Sequence, residues 1–231
     1  MPTDIDSISA ALGLAATPAQ KQSLQQYLDL LQHWNATYNL TAIRDRGAML
    51  TQHLADCLAV VQPLARERRV GRVLDVGSGS GLPGVVLAIM LPALKVTCVD
   101  SVGKKAAFIR QVAGALGLGN LHSAHARVEQ LVAPPFDLIT SRAFATLLDF
   151  TTLTRGLLAP SGLWVAMKGK TPGTELASLP PGVDVFHVEQ LKVPGLDADR
   201  CLVWMRPSAN SLPAPSAHDH AAASSNPPGT R

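Results

Sequence analysis

Cysteine is scarce in this chain and widely scattered. Cys57, Cys98 and Cys201 are three in 231 residues and form no CxxC pair, so neither a disulfide framework nor a zinc site is expected, and a reducing compartment is favoured. All three are expected to be small core residues. Charge is also thin: 16% of residues carry it, and 20 Lys plus Arg against 17 Asp plus Glu leave a net +3. The whole-chain charge does not announce a nucleic-acid binder, so any basic surface must be local. No apolar run approaches the roughly 20 residues a membrane helix needs. The opening Met-Pro-Thr-Asp-Ile-Asp lacks the basic segment and apolar run of a secretory signal. A cytoplasmic protein without membrane contact is expected. Hydrophobic residues, in contrast, make up 47% of the chain, which excludes global disorder. A layered domain of this size buries about 70% of the surface its unfolded chain exposes, so no staple is needed.

The first 70 residues read as helical. Thr17-Pro18-Ala19-Gln20 offers an N-cap hydroxyl, a proline at N1 and a glutamine three places after the cap. Behind it Leu24, Tyr27, Leu28, Leu31 and Trp34 recur at spacings of three and four and share one face. The pattern predicts a second helix over 48–64, with Met49, Leu50, Leu54, Cys57, Leu58 and Val61 inward, after a polar connector over 35–46. From Arg72 short apolar runs alternate with helical stretches, as in βαβ units around a parallel sheet. Strands are expected at 73–76, 96–100, 121–124, 136–141 and 163–168, and helices at 84–90, 104–116 and 147–158. Segments 183–193 and 201–206 read as an antiparallel pair closing the sheet. Beyond Pro207 large apolar residues almost vanish, and a disordered tail is expected over 207–231. The chain thus divides into a helical extension, 1–70, an α/β sheet with helices on both faces, 71–206, and the tail.

The most specific string follows the first strand: Gly77-Ser78-Gly79-Ser80-Gly81-Leu82-Pro83-Gly84. Its glycines permit a tight turn and let a ligand approach bare backbone at the start of a helix. Asp100, 19 residues beyond Gly81 at the end of the next strand, is placed for the two hydroxyls of a ribose. Gly77, Gly79 and Gly81, with Asp100 and its neighbour Ser101, are therefore candidate contacts for a nucleoside-containing cofactor. The string also fits the GxGxxG dinucleotide pattern, so NAD stays open. Asp75 favours S-adenosylmethionine instead: a carboxylate at the strand end would repel a pyrophosphate and attract an ammonium and a sulfonium group. As a mere cap of the next helix, Asp75 would not distinguish the two.

Ligands of open α/β sheets sit beyond the carboxyl ends of the strands. Ala126-Arg127-Val128-Glu129 follows the third strand and can offer backbone N–H groups and a carboxylate to an adenine edge. Ser141-Arg142-Ala143-Phe144-Ala145 follows the fourth, at the rim where a transferred group would lie. Lys104, Lys105, Arg127, Arg142, Lys168 and Lys170 gather at the same strand ends and make a local basic surface, of the kind that binds a polyanion with salt sensitivity. Arg66, Arg68, Arg69 and Arg72 form a second basic cluster, read as a helix C-terminal complement on the opposite edge of the sheet. Pro134-Pro135-Phe136 lacks the Asn or Asp of amino-group methyltransferases and precedes its strand. Asn226-Pro227-Pro228-Gly229 and His218-Asp219-His220 lie in the tail and read as incidental.

Taken together, Trp34-Asn35, Tyr38-Asn39-Leu40-Thr41, His53, Asp56, Gly81-Leu82-Pro83-Gly84, Asp100-Ser101-Val102-Gly103-Lys104, Ser141 through Ala145 and Lys168-Gly169 resemble the bacterial small-subunit ribosomal RNA methyltransferase G family, also called glucose-inhibited division protein B. The similarity covers about residues 20–206. It implies a class I, Rossmann-like methyltransferase sheet with an N-terminal helical extension, and methylation of guanine N7 at position 527 of 16S rRNA. By position the family's cofactor contacts would be Gly77, Leu82, Val128, Glu129 and Arg142. Ser78 and Ser80 stand where the family often has Thr and Pro. Guanine N7 carries a lone pair and no proton, so the chemistry needs orientation rather than a general base. No catalytic His or Asp is therefore expected, and His53 and Asp56, one helical turn apart, read as structural bonding to the connector; separately, no metal and no obligate protein partner is expected, and the strand-end basic residues are the expected RNA contacts. A small-molecule methyltransferase, an NAD-linked oxidoreductase and a non-catalytic RNA-binding module remain the alternatives.

Overall fold

The computed structural model describes residues 4–67, 69–142, 144 and 146–208. The tail beyond 208, with its two histidines, and Arg68 lie outside the described residues. The extension begins with a helix the periodicity did not predict, α1 (Ile5–Ala11), closed by a capping box between Asp4 and Ser7. Helix α2 (Pro18–Tyr38) starts on the expected Thr17 cap and buries Leu24, Tyr27, Leu28 and Leu31, while Asn39 ends it in the left-handed conformation.

The single helix predicted over 48–64 is broken into four pieces. Asp45 caps α3 (Arg46–Met49), a π-helical turn spans Leu50–Ala55, α4 covers Asp56–Leu58, and α5 restarts at Val61–Ala65. Pro63 accounts for the last break. It has no N–H to offer the carbonyl four residues earlier, so it sits in the first turn of a new helix, where none is required.

The sheet then builds outward from β1 (Arg72–Val76), through α6 (Gly84–Met90), β2 (Lys95–Asp100), α7 (Gly103–Ala115) and β3 (Leu121–His125). The second half comprises β4 (Phe136–Ser141), α8 (Leu147–Thr154), β5 (Leu158–Lys168), α9 (Gly173–Ala177), β6 (Val183–Leu191) and β7 (Arg200–Pro207). Strand order is β3-β2-β1-β4-β5-β7-β6. The first five strands are mutually parallel, and β7 runs antiparallel to β5 and β6. Strand β5 begins well before the expected residue 163 because α8 gives way to a 3₁₀ turn, Arg155–Leu157, after which Leu158 pairs with Phe136. The register then slips, so that Leu138 meets Leu163.

Alternate residues of each central strand feed two cores, as a sheet covered on both faces requires. Val73 joins the extension, α6 and α7 in one cluster around Phe108, whereas Leu74 and Val76 join Phe150 and Trp164 in the other. Tyr27 and Trp34 approach Phe108 with ring centroids 6.3 and 5.6 Å away. Two polar links fix the extension more sharply. Gln20 donates to the carbonyls of Ile89 and Met90 at the end of α6, both at 3.1 Å, and the buried Tyr27 hydroxyl donates to Ser80 O at 3.0 Å. No helix among the described residues is long and apolar enough to cross a membrane. Replacing Tyr27 by Phe leaves the Ser80 carbonyl without that donor, and urea unfolding is expected to show a loss of about 1–2 kcal/mol.

Candidate functional site

At the topological switch beside β1 and β4 the chain turns through its glycines. Gly77 and Ser78 both donate N–H to Val99 O of β2, at 2.9 and 3.2 Å. Gly79 donates to Asp100 Oδ2 at 2.8 Å, and Val102 donates to Asp100 Oδ1 at 2.8 Å. Gly77 and Gly79 hold φ of +64° and +59°, and a Cβ on either would meet nothing closer than 4.0 Å. Their bare backbone faces open space, as a ligand lying along it requires. The later glycines serve packing instead. A Cβ at Gly81 would fall 2.5 Å from Val85 Cγ2, and one at Gly84 would fall 2.3 Å from Cys98 Sγ. Leu82 is buried in the core.

A crevice of about 370 Å³ adjoins this turn, within the usual range for small-ligand sites. Gly77, Asp100, Ser101, Val128, Glu129 and Phe144 line it, so five of the nine expected site residues share one wall-to-wall space. Gly79 lies beside it, whereas Gly81, Leu82 and Arg142 do not line it. Larger crevices occur elsewhere, one of about 810 Å³ around Lys170, Lys192 and Arg200 among them, but the exposed glycine backbone belongs to this one.

Asp75 departs from the sequence expectation. It is fully buried, and its Oδ2 accepts from Gly84 N at 2.8 Å, so it braces the start of α6 from beneath and does not face open space. Oδ1 has no partner, and burial pushes the carboxyl up to about 7. As a buried cap of α6, Asp75 does not distinguish a pyrophosphate from a sulfonium ligand.

Arg142 turns toward the extension. Its Nη1 lies 3.3 Å from Gln52 O, 3.3 Å from His53 Nδ1 and 3.6 Å from Asp56 Oδ2. His53 Nδ1 also lies 3.3 Å from Gln52 O, and its Nε2 lies 2.7 Å from Thr41 Oγ1. His53 thus bonds to the connector as expected, and burial together with Arg142 lowers its pKa to about 4. Asp56 bonds elsewhere: its Oδ1 accepts from Arg200 Nε at 2.8 Å. Nothing in local sequence pattern signalled Arg200, whose partner is 144 positions away.

Two more basic residues change role. Lys168 is paired with Glu175 at 2.8 Å, while the same carboxylate caps α8 through Leu147 N, so Lys168 is an internal tie. Arg72 stacks over Phe136 and is no helix-end complement, whereas Arg66 stands at the C-cap of α5 as expected and also pairs with Glu189 near the carboxyl end of β6. Lys104, Arg127 and Lys170 are exposed, and Lys105 lines the glycine crevice.

This sheet order, with a reversed final strand and a glycine turn after β1, defines the class I S-adenosylmethionine-dependent methyltransferase fold. Solved structures of similar fold include TrmN from Thermus thermophilus, 24% identical with a TM-score of 0.52, which aligns with 65% of this chain but only 48% of its own length. Another is the glycopeptide N-methyltransferase MtfA complexed with S-adenosyl-L-methionine, 12% identical, TM-score 0.54, covering 65% of this chain and 93% of that one. The chain belongs to the GidB family, rRNA small subunit methyltransferase G, whose model matches residues 20–203. Ribosomal RNA small subunit methyltransferase G of Methylibium petroleiphilum is 58% identical over 84% of this chain and 89% of its own length. The Acidovorax ebreus protein of the same name is 59% identical over 86% and 92%.

Two measurements follow from this geometry. Gly77→Ala places a methyl group in the open cradle and strains a positive φ. Calorimetry should show S-adenosylmethionine affinity falling at least tenfold, while stability drops by only about 1–2 kcal/mol. His53 titrates near 4 when folded and near 6.5 when free, so between those values the unfolded chain binds the extra proton and stability rises with pH. Urea unfolding should accordingly weaken from pH 7 toward pH 4.5 more steeply in the wild type than in His53→Gln; Asp75, with its raised pKa, acts in the opposite direction in both.

Proposed function

We propose that the chain transfers the methyl group of S-adenosylmethionine to N7 of one guanine of 16S rRNA, at position 527 in the 530 loop, leaving S-adenosylhomocysteine. The match of residues 20–203 to the methyltransferase G family carries this reading, and the open backbone of Gly77 and Gly79 lies inside that span. When bound, S-adenosylmethionine supplies a methyl carbon made electrophilic by its sulfonium. Gly77 and Gly79 present backbone to the ligand, Asp100 and Ser101 serve the ribose, and Val128 and Glu129 serve the adenine.

The remaining task of the protein is orientation. Guanine N7 has no proton to lose, and His53, engaged at both ring nitrogens, acts as a structural link. Lys104, Lys105, Arg127 and Lys170 supply rim charge for the RNA backbone. In this reading residues 71–206 hold the cofactor, residues 1–70 form a wall on the RNA side, and the enzyme works in the cytoplasm, where small subunits assemble. The NAD alternative is disfavoured because the family match over residues 20–203 is to a methyltransferase.

Incubation with labelled S-adenosylmethionine and small-subunit rRNA or particles from cells lacking the gene should place label at a single guanine, located by cleavage at 7-methylguanosine. Cofactor binding without RNA labelling would refute the rRNA substrate and bring forward a small-molecule acceptor. Because the methyl step moves no proton, its rate should be independent of pH between about 8 and about 9, above the range in which Asp75 titrates.

A further inference from the structure

We propose that Arg142 and Arg200, held on either side of Asp56, form a seat for one backbone phosphate of the RNA; the proposal rests on the reading of the chain as an rRNA methyltransferase. Both arginines stand at the carboxyl rim. Arg142 follows Ser141, the last residue of β4, and Arg200 precedes Cys201, which pairs with Lys168 at the end of β5. Only β5 separates their strands. Asp56 reaches both from the extension, 2.8 Å from Arg200 Nε and 3.6 Å from Arg142 Nη1.

The charge does not close. Two guanidinium groups lie within contact of a single carboxylate, His53 is neutral near pH 7 because its pKa is lowered, and the deeper Asp75, which also attracts Arg142, is only partly ionised there, so the contact cluster keeps a net positive charge. The exposures differ in an informative way. The Asp56 side chain is 5% exposed, whereas those of Arg142 and Arg200 are 24% and 26% exposed. The carboxylate is sealed inside, and the unneutralised charge faces out. Among the described residues the Nη2 group of neither arginine makes a hydrogen bond, since the bonds of Arg142 run from Nη1 and those of Arg200 from Nε and Nη1. Two free donor groups on planar guanidinium forks suit phosphate oxygens. The neighbouring crevice continues the basic surface through Lys170 and Lys192, although Asp197 and Asp199 also line it and Arg200 Nη1 donates to the Asp199 carbonyl at 2.8 Å. A partly buried surplus charge is costly unless an anion completes it, and the substrate supplies one per nucleotide.

The test compares binding of 16S rRNA at several salt concentrations with S-adenosylmethionine affinity, after the wild type has been shown to methylate that RNA; a wild type that does not do so defeats the functional reading and with it the phosphate seat that rests on it. Arg200→Gln should bind RNA at least tenfold more weakly, with a salt slope shallower by about one, and cofactor affinity should stay within twofold. Arg200→Lys, which keeps the charge and loses the fork, should restore the salt slope and recover part of the affinity. Asp56→Asn keeps the shape and removes the counter-charge, so it should bind RNA as tightly as the wild type or more tightly. Equal weakening by Arg200→Gln and Asp56→Asn would make the cluster a structural latch and overturn the proposal. Loss of cofactor affinity with RNA binding intact would assign the seat to the cofactor's carboxylate and overturn it equally. Should Arg200→Gln fail to fold, Asp56→Asn alone decides, and weaker RNA binding by that variant refutes the phosphate seat.

Discussion

Two carboxylates hold the turn that follows β1, and the exposed backbone of the site depends on both. Asp75 works from beneath, accepting the Gly84 N–H at the first residue of α6. Asp100 works from the side, accepting from Gly79 and Val102. With the turn pinned at these points and at Val99 O, Gly77 and Gly79 can leave their left-handed backbone uncovered without collapsing onto it. The price is a buried acid: Asp75 Oδ1 finds no donor, and its pKa rises to about 7, so near neutrality the site keeps a group poised between charged and neutral forms. An unpaired buried carboxylate is destabilising unless it protonates, and protonation would leave Oδ2 free to keep its bond to Gly84.

The helical extension is built into this centre. Helix α2 reaches the glycine turn itself through the Tyr27 hydroxyl on Ser80 O, and its apolar stripe shares the core of α6 and α7 through Phe108. Further along, Thr41, His53 and Asp56 carry the extension to the ends of β4 and β7. A π-helical turn at Leu50–Ala55 lies immediately before Asp56, and such turns re-aim side chains relative to a regular helix. Removing the extension would therefore strip Arg142 and Arg200 of the carboxylate they share as well as the sheet of hydrophobic cover.

Much of the fold could be read from residue pattern because its signals are local. Strand β4 and helix α6 fall on the expected bounds, since an apolar run and a glycine turn mark their ends directly. The breaks were hidden where two signals competed. The apolar stripe over 48–64 is continuous in periodicity, yet Pro63 cannot continue the bonding pattern; the start of β5 was masked by an apolar stretch that suits a helix or a strand equally. Helix α9 buries no residue, so it left no stripe to detect. The candidate site was legible where it is made of backbone and strand ends, as at Gly77, Asp100 and Glu129. It was illegible where it depends on charge pairing across the fold: Lys168 looked like a free rim cation until Glu175 was placed against it, and Arg200 looked like nothing at all.

That division follows from the chemistry the site has to support. A reaction at a nitrogen that already holds its lone pair makes no demand for a base, so it leaves no catalytic dyad for sequence inspection to find. What must be arranged is a cofactor on bare backbone and a polyanion at a defined height above it. The first requirement writes itself into a short string, because glycines with positive φ cannot be replaced cheaply. The second is distributed over cations from distant strands, and a cation becomes informative only once its partners are known. Lys168 and Arg200 are both basic residues at the rim, but one faces a single carboxylate that matches its charge and the other shares its carboxylate with a second arginine. Counting charge within each contact cluster, rather than along the chain, separates the lysine that holds the protein together from the arginines that have charge left to offer.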